Sequence, residues 1–147
     1  MRRFSLVTLV VVALFSVALT ARITTAEDTQ ADAEAAAVPS KIPAEAKKVR
    51  NPQPSSPESL EHGQLIYGSQ CSRCHGTSGD GKGRLVERLK LQIPDFREPA
   101  TQAARTDGEL FFILTEGHGK MSGQGTRLDT KTRWDLVNYV RFLGNPE

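Results

Sequence analysis

Cys71-Ser72-Arg73-Cys74-His75 is the stretch from which the rest of this chain is read. Two thiols three residues apart, followed at once by an imidazole, form the attachment site of a c-type haem. Each thiol adds across a haem vinyl group as a thioether. The histidine, fixed beside the second anchor, reaches the iron as its proximal ligand. The chain has 2 cysteines and 3 histidines in 147 residues. With so few, the motif arises in roughly three of ten thousand random shuffles.

Three other uses of the pair compete. A thioredoxin-type redox pair opens a helix after a strand in a βαβ pattern, and no such strand precedes Cys71. A structural zinc site needs four ligands, usually as two pairs. Only one pair exists here, and His62 and His118 do not form a second. A disulfide across two intervening residues closes too small a loop to stabilise much. One covalent haem, held through Cys71 and Cys74 with His75 on the iron, is therefore the expectation.

Residues 1–26 read as a secretory signal peptide. Arg2 and Arg3 form a positive start, Phe4 to Leu19 is apolar apart from Ser5, Thr8 and Ser16, and Thr24-Thr25-Ala26 offers a cleavage site before Glu27. The alternative is an uncleaved membrane anchor, at the short limit of the about 17–25 residues a spanning helix needs. Either way the expected location is the periplasm. Residues 27–57 read as a disordered linker rich in Ala, Pro and Ser and free of aromatics, which buries too little apolar surface to offset its ordering entropy. Within it, Asn51 to Pro57 should be extended and stiff.

The folded part is then residues 58–147, with twelve Lys and Arg against twelve Asp and Glu. Cleavage after Ala26 removes Arg2, Arg3 and Arg22 and turns 19 basic against 17 acidic residues into 16 against 17. No basic cluster is interleaved with aromatics, so the chain gives no sign of nucleic-acid binding. Lys120, Arg127, Lys131 and Arg133 form the one modest basic cluster, a docking patch or a solvated face.

Helices and loops account for the domain, and no strand is convincing. Ser56 can cap a first helix, with Pro57 at its first position. Leu60, Gly63, Tyr67 and Cys71 recur at helical spacing and lead into the haem motif. Gly63 costs stability in mid-helix, which points to a close approach by another helix. Gly79-Asp-Gly-Lys-Gly83 lacks full phosphate-loop spacing and reads as a turn. Arg84 to Leu91 forms a short helix stopping before Pro94. Thr106 and Glu109 make a capping box for a second main helix, ended by Gly117. Asp129 caps a last helix that runs to Leu143. The class is all-α, with three main helices and loops wrapped around one haem.

Met121 is the only methionine beyond Met1, and lies 46 residues after His75 in the glycine-rich loop from Glu116 to Gly125. Glycines let backbone wrap closely over a flat group, so Met121 is the first choice as distal ligand. Thioether ligation raises the potential relative to two imidazoles. His118, three residues earlier, is the rival. His62, on the first helix, reads as a surface residue.

Residues 58–147 resemble a class I cytochrome c domain of the small bacterial periplasmic monohaem type. The resemblance rests on Gly63 and Tyr67 before the haem motif, on Gly76, Gly79-Asp80-Gly81 and Pro94-Asp95-Phe96, and on Thr106 to Leu110, Met121 and Trp134 to Arg141. It implies that the first and last helices cross at Gly63 and the Trp134–Tyr139 region. It also implies that the carbonyl of Pro94 accepts from the second ring nitrogen of His75, fixing the imidazole. The sequence departs from the family in carrying Ser122, where a proline often follows the ligand methionine and stiffens its loop.

The implied function is one-electron transfer between respiratory redox proteins, through an exposed haem edge at a small transient interface. The protein is not expected to be an enzyme. Alternatives are a subunit fixed in a membrane respiratory complex, joined to the membrane through the N-terminal segment, and a haem enzyme or gas sensor with an open sixth site.

Overall fold

The structure, a computed structural model, describes residues 41–146. The expected signal peptide and the first part of the expected linker, residues 27–40, lie outside the described residues.

Helix α1 (Pro57–Ile66) starts where the sequence places its cap. The Ser56 hydroxyl accepts from the Ser59 amide at 3.2 Å, and Pro57 stands where no amide is needed. The helix does not stop at Ile66. It widens into a single π-helical turn, Tyr67–Cys71, and closes as α2 (Ser72–His75). A π-turn inserts a residue into the helical ladder and rotates the next turn relative to the last. Here it buries Tyr67 and leaves both cysteines half-buried. Gly76, at φ 80°, ends the run.

Two short helices come next, α3 (Val86–Leu89) and α4 (Pro99–Ala103). The first falls inside the expected 84–91 segment. The second has no counterpart among the expected helices, although Pro99 at its first turn is an orthodox start. Helix α5 (Asp107–Glu116) has the full capping box: Glu109 accepts from the Thr106 amide at 2.8 Å while Thr106 accepts from the Glu109 amide at 3.3 Å. Helix α6 (Thr130–Gly144) is capped by Asp129, which accepts from the Thr132 amide at 2.7 Å. Between α5 and α6 the expected loop contains a minimal hairpin, β1 (Gly117–His118) with β2 (Met121–Ser122). Among the described residues the fold is thus all-α apart from this ribbon.

The crossing of α1 and α6 organises the core. A Cβ on Gly63 would collide with the Asp135 carbonyl and stand 2.8 Å from Tyr139 Cβ. Glycine is what lets the helices close to this distance. Tyr67 packs against Tyr139 at 5.2 Å between ring centroids. Trp134, in the same buried cluster, stacks on Phe111 of α5 at 4.0 Å.

Asp135, wholly buried, holds the outer side of the crossing. Its carboxylate accepts from the Ser59 hydroxyl at 2.7 Å, from Lys131 at 2.9 Å, and pairs with His62 Nδ1 at 2.8 Å. His62 is therefore not a free surface residue but half of a tie between the two helices. Burial works to raise the Asp135 pKa, but the bonds from His62, Lys131 and Ser59 outweigh it and hold the carboxyl below its ordinary value. A depressed folded pKa gives stability that is present above the unfolded value, near 4, and lost as pH falls through the folded value. Asp135→Asn should cost about 1–3 kcal/mol at pH 7 and flatten the loss of stability on acidification. Urea unfolding between pH 7 and pH 3 checks both; an unchanged acid limb would show that Asp135 is not linked to folding.

The expected linker needs correction where it is described. Ala44–Lys48 forms a 3-10 turn whose Ala46 is buried. Ala46 and Val49 lie directly over Gly108 of α5, where a Cβ would collide with the Ala46 carbonyl. Farther along, Asn51 donates to Asn138 at 2.7 Å, and Asn138 donates to the Ser59 hydroxyl at 2.9 Å and the Pro54 carbonyl at 3.2 Å. Residues 43–56 are a strap laid over α5 and α6. Composition favours disorder here, but a few specific long-range contacts decide the outcome.

Candidate haem-binding site

The Cys-x-x-Cys-His turn is held from behind by the loop directly after it. The amides of Gly81, Gly83 and Leu85 donate to the carbonyls of His75, Cys74 and Arg73 at 2.9, 3.2 and 3.0 Å. The loop therefore satisfies the carbonyls that a helix end leaves open, and Gly83 passes so close that a Cβ would meet Arg73 and Cys74 backbone at 2.6 Å. The Tyr67 hydroxyl adds a buried bond to the Gly76 carbonyl at 2.9 Å. The glycines that superficially suggest a phosphate loop thus serve as backing for the motif.

Burial and the neighbouring Cys74 push the Cys71 thiol up to about 11. Redox-active pairs depend on a lowered thiol pKa, so this environment speaks against the thioredoxin-type alternative. Among the described residues no three His, Cys, Asp or Glu side chains converge on one point, which leaves a zinc site without its four ligands.

Beside the motif lies a cavity of about 470 Å³. His75 borders it together with Pro94, His118 and Met121, and its remaining wall is largely apolar, with Leu110, Ile113, Leu114, Val137 and Val140 from α5 and α6. The structure thus brings together the expected proximal histidine, the candidate distal methionine, its rival histidine and the proline of the resemblance. A flat apolar group fits such a wall, and the polar groups suit an iron porphyrin. Burial lowers the His75 pKa, favouring the neutral imidazole that ligates metals. His75 Nδ1 is buried with no hydrogen-bond partner, as is His118 Nδ1. Buried polar atoms are rarely left unpaired, so two at one cavity mark it as a site built for a further group.

One expectation fails in detail. Pro94 lines the cavity, but its carbonyl makes no bond to His75. That oxygen faces Gly81, 3.3 Å from where a Cβ would stand. The imidazole is instead stacked on Phe96, with centroids 4.9 Å apart and planes 13° apart. Gln102 fixes Phe96 in turn, donating to the Phe96 carbonyl at 2.5 Å and to the Val140 carbonyl of α6 at 2.9 Å. Neither role is visible in the sequence. A polar Gln in an otherwise ordinary helix carries no local sign of it.

The basic cluster is partly engaged within the domain, while Lys120, Arg127 and Lys131 stay exposed. Arg133 is buried, lies 4.7 Å over the Phe111 ring and donates to Thr115. Lys131 is engaged by Asp135, and Lys120 donates to the Leu89 carbonyl at 3.2 Å. Three of the four cations have partners within the domain.

A helical shell, a backed Cys-x-x-Cys-His turn and an apolar cavity between a histidine and a methionine define a c-type cytochrome domain. The family model described as cytochrome c oxidase, cbb3-type, subunit III matches residues 58–140. The chain belongs to that family, whose cytochrome c domain binds haem c and transfers electrons through its iron. No curated protein matches by sequence. Among solved structures, a chain of the reducing HAO-like protein complex of Kuenenia stuttgartiensis is similar, with a TM-score of 0.56 and 22% identity over 63% of this chain. At that identity the likeness concerns the fold. The aligned part spans only 46% of that chain.

Proposed function

We propose that this protein is an exported one-electron carrier with a single haem c, bound through Cys71 and Cys74 and ligated by His75 and Met121. The observation that carries this is the meeting of His75 and Met121 at one largely apolar cavity. Bound there, the haem supplies an iron that cycles between ferric and ferrous states. The chain's own residues do the rest. The loop 76–85 holds the motif rigid, Phe96 keeps the imidazole plane fixed, and α5 and α6 exclude water. Little has to move between oxidation states, which suits rapid electron exchange. Export to the periplasm is argued from the character of residues 1–26, and the partners are respiratory redox proteins met at a small interface.

Met121→Leu, close to isosteric, should leave haem attached, abolish the weak far-red iron–thioether absorption band and lower the potential. The fall should be on the order of 0.1 V or more, well inside the ~0.8 V that axial ligands span. An unchanged potential would remove Met121 from the iron.

A second reading has its own support. The matched family is named for a subunit of an oxidase, so this domain can serve as a fixed relay within a membrane complex. Among the described residues no helix is long and apolar enough to cross a membrane. Fractionation decides: haem in the soluble periplasmic extract supports the carrier, and haem co-purifying with membrane oxidase activity supports the relay.

A further inference from the structure

His118 and Met121 are direct partners in the β1–β2 ladder. Only two residues, Gly119 and Lys120, separate them, and Gly119 has a φ of 58°. Positive φ at the first loop residue suits the tight turns that close two-residue hairpins. Directly opposed residues of an antiparallel pair project from the same side of the ribbon, with Cβ atoms about 4.5–5.5 Å apart. Both side chains border the cavity shared with His75. Met121 is the only described methionine, and His118 Nδ1 is buried without a partner.

The ribbon is held at its root and its tip. The Gln124 and Gly125 amides donate to the Leu114 and Thr115 carbonyls at 2.7 and 3.0 Å, and Lys120 reaches the Leu89 carbonyl. These bonds fix its place, so the loss of a bond from Met121 would not carry His118 away.

We propose that His118 is a reserve ligand of the haem site, taking the distal position whenever the Met121 thioether leaves it. This rests on the reading of Met121 as the resident ligand. The exchange transfers no electron and breaks no covalent bond within the chain: a nitrogen lone pair of the His118 imidazole replaces a sulfur lone pair. Its effect is to give one domain two potentials, higher with the thioether and lower with two imidazoles. It also denies the sixth position to small molecules when the thioether is displaced.

The test uses the full-length haem protein. Wild type is examined first for the far-red thioether band, which reports the resident ligand by itself. In Met121→Leu the iron should stay low-spin, with the electron paramagnetic resonance signature of two imidazoles. In Met121→Leu with His118→Gln it should become high-spin and bind carbon monoxide at least about tenfold faster, as expected if His118 occupies the site nine-tenths of the time or more. A single variant as high-spin and as reactive as the double overturns the reserve role and leaves the resident reading intact. A wild type without the band but with two-imidazole ligation makes His118 the resident ligand and overturns both. Should Met121→Leu not mature, alkylating Met121 in the folded protein, with and without His118→Gln, gives the same comparison.

Discussion

Replacing Cys71 and Cys74 together by serine should leave no haem band on a denaturing gel and no cooperatively folded domain. Size is the reason. The described domain is about a hundred residues long, and its buried hydrophobic set is short: Tyr67, Leu114, Trp134, Leu136, Val137 and Tyr139 at its centre. The cavity of about 470 Å³ opens where a larger core would be. Its largely apolar wall has no cover of its own, and the whole stability of such a domain is only about 5–15 kcal/mol. Haem is therefore structural material as well as redox centre. Serine nearly preserves the size of each anchor and removes the thioether. A retained stained band would refute covalent attachment at this motif. A band lost with cooperative unfolding preserved would show that the polypeptide folds without its prosthetic group.

Gly63→Val should be the most damaging single change away from the motif. Even a methyl at this position would meet the Asp135 carbonyl and the Tyr139 side chain, and neither sits on a free chain end. Asp135 is pinned by three partners, and Tyr139 packs on Tyr67 and Phe142. The helices would have to separate, loosening Tyr67 and with it the bond to Gly76 behind the haem motif. Overpacking of this kind costs about 1–3 kcal/mol for an added methylene or so, and valine pushes a branched side chain against backbone. A loss of about 3 kcal/mol or more is expected, lowering the melting temperature by roughly 12 °C or more for a domain of this size. Thermal unfolding of the purified haem protein measures it. A melting temperature within a few degrees of wild type would mean the crossing is looser than its geometry.

The features legible in the sequence are local. Ser56, Thr106 with Glu109, and Asp129 announce helix starts because a cap acts on an amide three residues away. Gly63 is legible for a related reason: a helix interior tolerates glycine poorly unless something needs the space. The Cys-x-x-Cys-His turn and Met121 declare themselves by chemistry and scarcity.

The rest depends on contacts far apart in the chain. Asn51 and Asn138 are 87 residues apart, and nothing near Asn51 distinguishes a strap from a solvated linker. His62 reads as an ordinary polar position until Asp135, 73 residues later, is placed beneath it. The stacking of Phe96 on His75 depends on the path of the chain from Pro94 to Pro99. The loop around Met121 has too many glycines to suggest a ribbon, yet Gly119 supplies the conformation that lets one close.

The strap also determines how the domain responds to a pull. Tension on the chain ahead of Lys41 reaches Ala46 and Val49 against α5 first, then the Asn51–Asn138 bond. Ser56 and the start of α1 come next along the chain. Asn138 also donates to Ser59 of α1, so part of that load passes to the helix that carries the motif. Force carried along the strap would therefore load α5 and α6, whose Leu110, Leu114, Val137 and Val140 line the cavity, before it reached the Cys-x-x-Cys-His turn.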